Sequence, residues 1–282
     1  MAVYVPRFLR AALAFVVLLA LVGATYQGVT TSLERRRLPH PGRLVGVGGH
    51  QLQIHCTGAG RPTVVLEAPA AGLSASWSRV QAALTPLTRV CSYDRAGLGW
   101  SEQGDGPFDP ARVPVELRAL LDSAREPAPY VIVGNGLGAA FAAAFSAQFP
   151  DVTAAAVLLD PPSDDEASPD RKVLGRVPEA MPWLARLGLL RLTGKERGVD
   201  PAVPAFMNRP DHLTRAAREL AKWDDAVRLA ERSVDSSSAP LVPTVPTTTA
   251  ILPAPIATES GAEAAVAAIR PAVVNDKARR SR

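Results

Sequence analysis

Histidine and cysteine are scarce in this chain: its 282 residues hold four histidines and two cysteines. The histidines are His40, His50, His55 and His212, so the last seventy residues contain none. No C-x-x-C, H-E-x-x-H, Walker loop or acidic cluster at metal-ligand spacing occurs, so no metal, nucleotide or other cofactor is expected. Charge of one sign is also short. The formal net charge is +4, and part of it lies in the flanks of an N-terminal apolar stretch and in the terminal run Lys277 to Arg282, so nucleic acid is not an expected partner. Internal repeats are absent. About 240 residues remain after the apolar stretch, enough for one domain with a sizeable core.

A nucleophile is missing too, from a place shaped to hold one. Val131-Ile132-Val133-Gly134-Asn135-Gly136-Leu137-Gly138 has the frame of a G-x-S-x-G turn, where an apolar strand meets a helix and the middle residue presents a side-chain oxygen. Here the apex is Gly136, which has no atom to attack with. An Ala-rich helix from Ala139 to Gln148 follows. Gly-rich turns of this kind also cradle phosphates, so the neighbouring segments decide. Val64 to Ala68 reads as a buried strand, Arg89 to Ser101 as a strand running into a Gly-rich loop, and Ala154 to Asp160 as another strand. Gly46 to Gly58 reads as a hairpin.

In this order the chain closely resembles the first two thirds of an α/β-hydrolase. The Y-D-R-x-G-x-G-x-S run from Tyr93 and the hairpin are the most specific parts, and the resemblance holds from Pro41 to Asp160. It implies an α/β fold with a mostly parallel sheet flanked by helices. The C-terminal strands would be reduced, because Leu241 to Ala264 is too short and Pro-rich to hold strand, helix and strand.

Carried over position by position, the family's catalytic parts fail. Gly134, Asn135, Gly136, Leu137 and Gly138 would be a vestigial elbow. Pro69 and Ala70 would be a vestigial oxyanion loop, with Pro69 where the family usually places Gly, and the second donor would be the Leu137 N–H. Asp160 lies where some members place the triad acid. The base, a histidine near the C-terminus, has no candidate. A single engineered exchange would have spared that histidine, so the pattern reads as natural decay. Gly136 itself relieves the strain that an apex side chain suffers, and the three glycines read as a tight turn with close helix-on-strand packing. A rearranged hydrolase would need a new base for Ser74, Ser76, Ser101 or Asp160. Cys56 and Cys91 read as inert buried thiols, or as a cross-strand disulfide if their strands are neighbours in an oxidising compartment. Asp94 reads as a turn cap, and Trp77, Trp100, Trp183 and Trp223 as core or lid packing.

Arg7 and Arg10 precede an uncharged stretch from Ala11 to Leu33, long enough to cross a membrane once. Val22-Gly23-Ala24 could serve as a signal cleavage site, but Tyr26 and Gln27 extend the stretch into an interfacial zone and favour an uncleaved anchor. The domain plan is an anchor and linker over 1–40, a hydrolase-like body over 41–275 and a basic, solvated or lipid-facing tail over 276–282. Within the body, 161–235 is lid-like, with helices expected over Arg171 to Leu192 and Pro210 to Val234, and 236–260 is a Pro-rich connector. A final helix is expected from Ala262 to Val274. Arginines on both sides of the stretch leave its direction weakly marked; the body is placed outside the cytoplasm. The expected role is that of an inactive, membrane-tethered accessory subunit, with lipid and other membrane-protein subunits as partners. The alternatives are the rearranged hydrolase and a module binding an apolar ligand in the old pocket.

Overall fold

The computed structural model describes residues 6–162, 180–192, 200–237, 240–243 and 257–280. It opens on helix α1 (Arg7–Arg37), whose apolar N-terminal half projects from the body. A hairpin of β1 (Arg43–Gly46) and β2 (Gln51–Thr57) leads into β3 (Thr63–Glu67), then α2 (Ser78–Leu84) and β4 (Val90–Tyr93). There follow α3 (Arg112–Ser123), β5 (Tyr130–Asn135), α4 (Leu137–Gln148) and β6 (Thr153–Leu159). The strands are short apolar runs, and β3, β4 and β5 are buried along their whole length, as expected where helices cover both faces of a sheet.

Among the described residues the sheet has seven strands in the order β1-β2-β4-β3-β5-β6-β7, antiparallel at the β1/β2 and β2/β4 pairings and parallel elsewhere. This is the expected α/β architecture. β7 (Leu241–Pro243) pairs along the outside of β6 and includes a proline, a residue tolerated at a sheet edge but not in its middle. The rest of the Pro-rich stretch, 244–256, lies outside the described residues. One core, with Ile132, Leu120 and Phe145, fills the α3/α4 face; a second, with Leu66, Trp77, Val133 and Ile269, fills the face covered by α2 and the C-terminal helix.

Between β6 and β7 the described chain forms α5 (Met181–Arg186), a 3-10 turn at Leu189–Leu192, α6 (Ala202–Met207), α7 (Pro210–Leu220) and α8 (Trp223–Ser236). The helix expected over Arg171 to Leu192 is reduced to α5 and that turn in its described part, and α6 has no counterpart in the expectation. The one expected from Pro210 to Val234 breaks at Ala221–Lys222, because its two halves bury different faces: His212, Leu213, Ala216 and Glu219 before the break, Trp223, Ala226, Val227 and Ala230 after it. The last helix, α9 (Glu259–Arg280), starts earlier and runs further than expected. It extends through the first residues of the basic run, where the Lys277 ammonium donates to the Leu87 carbonyl at 2.5 Å. That lysine is therefore not part of a free tail.

Cys56 and Cys91 face each other across β2 and β4 and are joined as a disulfide, so the reading as free thiols is corrected. Together with Glu126 they make up the cluster of metal-ligand side chains found among the described residues. The sulfurs are consumed by the bond, and the carboxylate is paired with Arg43 and Arg89.

Candidate active site

The turn from β5 into α4 has the geometry of an elbow. Gly136 has φ 54° and ψ −124°, a backbone region that side-chain-bearing residues avoid. Its flanking glycines are fixed by space. A Cβ on Gly134 would lie 2.1 Å from the Gly138 carbonyl oxygen, and one on Gly138 would lie 2.4 Å from that of Ala68. At Gly136, among the described residues, a Cβ would meet only Pro69 Cβ, at 3.6 Å. The apex therefore has room for a side chain and is costly only in conformation, whereas Gly134 and Gly138 are required by strand-on-helix approach. Gly136 N donates to Leu159 O at 2.9 Å, which ties the turn to the end of β6.

The facing loop is tightly turned. Gly72 N donates to Pro69 O at 2.9 Å, and Ala71 adopts φ 58°. Ala70 and Leu137, the residues whose N–H groups would serve an oxyanion, are buried in one cluster with Phe108, Phe141, Trp223 and Val227. Helix α8 thus packs directly on the first turn of α4.

Beneath the loop lies a charged network that sequence reasoning missed. All five N–H groups of the Arg95 guanidinium are engaged: with Glu219 Oε1 and Oε2 at 2.9 and 3.0 Å, Glu67 Oε1 at 2.6 Å, and the carbonyls of Ala68 and Pro69 at 2.6 and 2.8 Å. The Arg95, Glu67 and Glu219 side chains are each at most 3% exposed. Tyr93 donates its hydroxyl to Glu67, and Arg95 also lies over the Phe141 ring at 5.4 Å. Burial alone would lower the arginine pKa; Glu219 and Glu67 reverse this and keep it charged. Burial raises Glu67, against the pull of Arg95. The network clamps the oxyanion loop to lid helix α7. Its only sequence signal was the arginine of the Y-D-R run.

His212 is the histidine built into this lid contact. Gly99 N–H donates to Nδ1 at 3.2 Å and Nε2–H donates to Ala71 O at 2.9 Å, so neither nitrogen is left to take a proton from a hydroxyl. Burial lowers its pKa to about 4. Asp94 caps a loop as expected, accepting from the N–H groups of Ser74 and Trp100 at 2.6 and 2.9 Å. Burial lifts its pKa to about 6 against those two bonds. Ser101 Oγ donates to Asp94 O and accepts from Gln53 N, and Ser74 and Ser76 are buried. Among the described residues no hydrogen bond joins any of these serines to a histidine. Asp160 ends β6 with φ 45°. Trp77 and Trp223 are buried and Trp100 stacks edge-on against Phe206, as expected, but Trp183 is 67% exposed and is not packing.

A sequence model described as the alpha/beta hydrolase family matches residues 54–278. A 2-hydroxy-6-oxo-2,4-heptadienoate hydrolase of Pseudomonas putida is 31% identical over 121 residues, 42% of this chain and 44% of that one. An uncharacterized vacuolar membrane protein of Saccharomyces cerevisiae is 35% identical over 89 residues, 31% of this chain and 14% of that one. The chain spans less than half the length of the curated relatives it matches. Among solved structures, a membrane phospholipase A described as a bacterial virulence factor is similar with TM-score 0.59 at 19% identity, over 94% of this chain and 87% of that one. At that identity the likeness concerns the fold.

Proposed function

The chain belongs to the alpha/beta hydrolase family, and on that premise we propose that it is a membrane-tethered, catalytically inactive member that acts as a structural or accessory subunit of a membrane protein complex. One observation carries the loss of catalysis: the elbow apex is a glycine with φ 54°, while the residues of the oxyanion loop and the first turn of α4 serve as packing beneath α8. With neither nucleophile nor base, backbone donors alone would supply on the order of 10³-fold over water. The tether is α1, 31 residues long, whose most apolar 18-residue window is wholly unburied by the body. Similarity to a vacuolar membrane protein and to a membrane phospholipase supports the same reading. The Cys56–Cys91 disulfide suits an oxidising compartment and supports a body outside the cytoplasm. Exposed alanines along α1 offer small-residue contacts to other membrane helices.

The test is twofold. Full-length protein in detergent should show no saturable turnover of short-chain esters and no serine-directed labelling, and Gly136→Ser should not create either. That substitution should lower stability by about 1–3 kcal/mol, the cost of placing a side chain in the strained apex. On a native gel of solubilised membranes the protein should migrate with partner subunits and stay in the membrane fraction through carbonate washing. Saturable turnover abolished by one point substitution would overturn the inactive reading; a lone, washable monomer would overturn the subunit reading.

A further inference from the structure

One stretch of the lid plays no part in the contacts around the elbow. In α5 and the turn after it, Trp183 is 67% exposed, Leu184 37%, Leu187 37% and Leu189 44%. Lid helices α7 and α8 bury their apolar faces on the body, whereas this segment turns its largest apolar side chains outward. The Arg186 guanidinium lies over the Trp183 ring at 4.7 Å. Contiguous exposed apolar side chains of this size mark a surface that meets something other than water.

The position of the segment identifies what it meets. A Cβ on Gly23 of α1 would lie 2.3 Å from the Leu187 carbonyl oxygen, and one on Gly188 would lie 3.1 Å from the Gly23 carbonyl and 3.3 Å from the Tyr26 ring. The segment is therefore pressed against α1 at residues 23–26. On the next turns of α1 the contacts become polar: Arg191 donates to Gln27 and Glu34 at 2.6 Å, and Gln27 donates to Asn208 O at 2.6 Å. Towards its N-terminus α1 is bare, with Phe15, Leu19 and Val22 each more than half exposed.

Length then sets the depth. From Arg10, the last cation before the uncharged stretch, to Gly23 an α-helix rises about 20 Å, short of the roughly 30 Å of a hydrocarbon core. About seven more residues are needed, which brings the edge of the apolar layer to about Thr30. Gly23 and Tyr26, against which Leu187 and Gly188 press, lie just inside that edge, and the polar contacts of Arg191 run across it from Gln27 to Glu34.

We propose that residues 181–192 are a second membrane contact, lying in the headgroup and upper acyl region of the bilayer that α1 crosses. This rests on the reading of α1 as a membrane anchor. The occupant is lipid because the patch continues the bare apolar surface of α1. Its chemistry suits an interface: a tryptophan flanked by leucines, with Arg186 beside it to reach lipid phosphate.

The experiment uses the full chain reconstituted into phosphatidylcholine vesicles, with and without acyl chains brominated near the headgroup. Vesicle flotation reports the anchor, and tryptophan emission reports the lid. The expected result is a bromolipid-dependent loss of emission that disappears in Trp183→Phe, because Trp77 and Trp223 are buried and Trp100 is held against Phe206. A chain that fails to float overturns both the anchor and the lid contact. A chain that floats while Trp183 ignores bromolipid and is quenched by aqueous iodide overturns the lid contact alone. Protection of Trp183 from both quenchers would mean that protein covers the patch, and would overturn it equally. Because Trp183 is exposed, Trp183→Phe should fold; an unchanged circular dichroism spectrum confirms that the lost signal is local.

Discussion

Two of the polar clusters that fasten the lid to the rest of the molecule are built on arginine, and they differ in kind. The inner one joins Arg95 to Glu219 and Glu67 with every partner at most 3% exposed. The outer one joins Arg191 to Glu34, Gln27 and Thr31 of α1, and its carboxylate is 21% exposed. In the inner cluster no water can replace a lost partner, so its members stand or fall together. In the outer one solvent can compensate, so the lid can be loosened from α1 without coming off the body. The more buried of the two clusters is the one that joins the lid to the loop facing the elbow.

Arg95→Met should produce the largest effect, because it leaves Glu67 and Glu219 buried without a counter-charge. The expected loss is about 3–5 kcal/mol, read as a drop in the urea midpoint. Replacing all three side chains by apolar groups of similar volume should cost far less, which would separate the penalty of an orphaned charge from the worth of the network.

Acid should act next, through His212. Its folded pKa of about 4 is below the ordinary 6.5, so the neutral form is favoured by the fold. The stability it contributes is complete above pH 6.5 and is lost as pH falls towards 4, by up to about 3 kcal/mol. Asp94 works in the opposite sense. Its folded pKa of about 6 exceeds the ordinary 3.8, so its contribution is complete below 3.8 and is lost as pH rises through 6. Wild-type stability should therefore change little between pH 7 and 4.5, while His212→Gln should become more stable on acidification. Urea titrations at a series of pH values check the crossing.

The smallest effect belongs to the outer cluster. Arg191→Met should cost about 1–2 kcal/mol and should weaken with added salt in the wild type, since one partner faces water. An Arg191 effect as large as that of Arg95 would erase the distinction between the two clusters.

The region from Pro41 to Asp160 was legible in the sequence because its signals are local: short apolar runs, a Gly-rich turn and an Ala-rich helix. The empty elbow could be read for the same reason, since one position decides it. The Arg95–Glu219 pair could not, because its members are 124 residues apart and neither type is unusual alone. The break between α7 and α8 was hidden by a continuous helical pattern, and only the two directions of burial reveal it. The disulfide stood as an alternative to free thiols until the register of β2 against β4 placed Cys56 opposite Cys91.

Helix α1 has a mechanical consequence. At about 1.5 Å per residue its 31 residues form a rod of about 46 Å. Among the described residues the rod is gripped by the body along its C-terminal half, through Gly23, Gln27 and Glu34. In a bilayer such a rod works as a lever whose short arm is bolted to the lid. Tilt imposed by membrane thickness or by a neighbouring helix becomes torque on the lid, and one route by which it reaches the sheet is the Arg95 clamp.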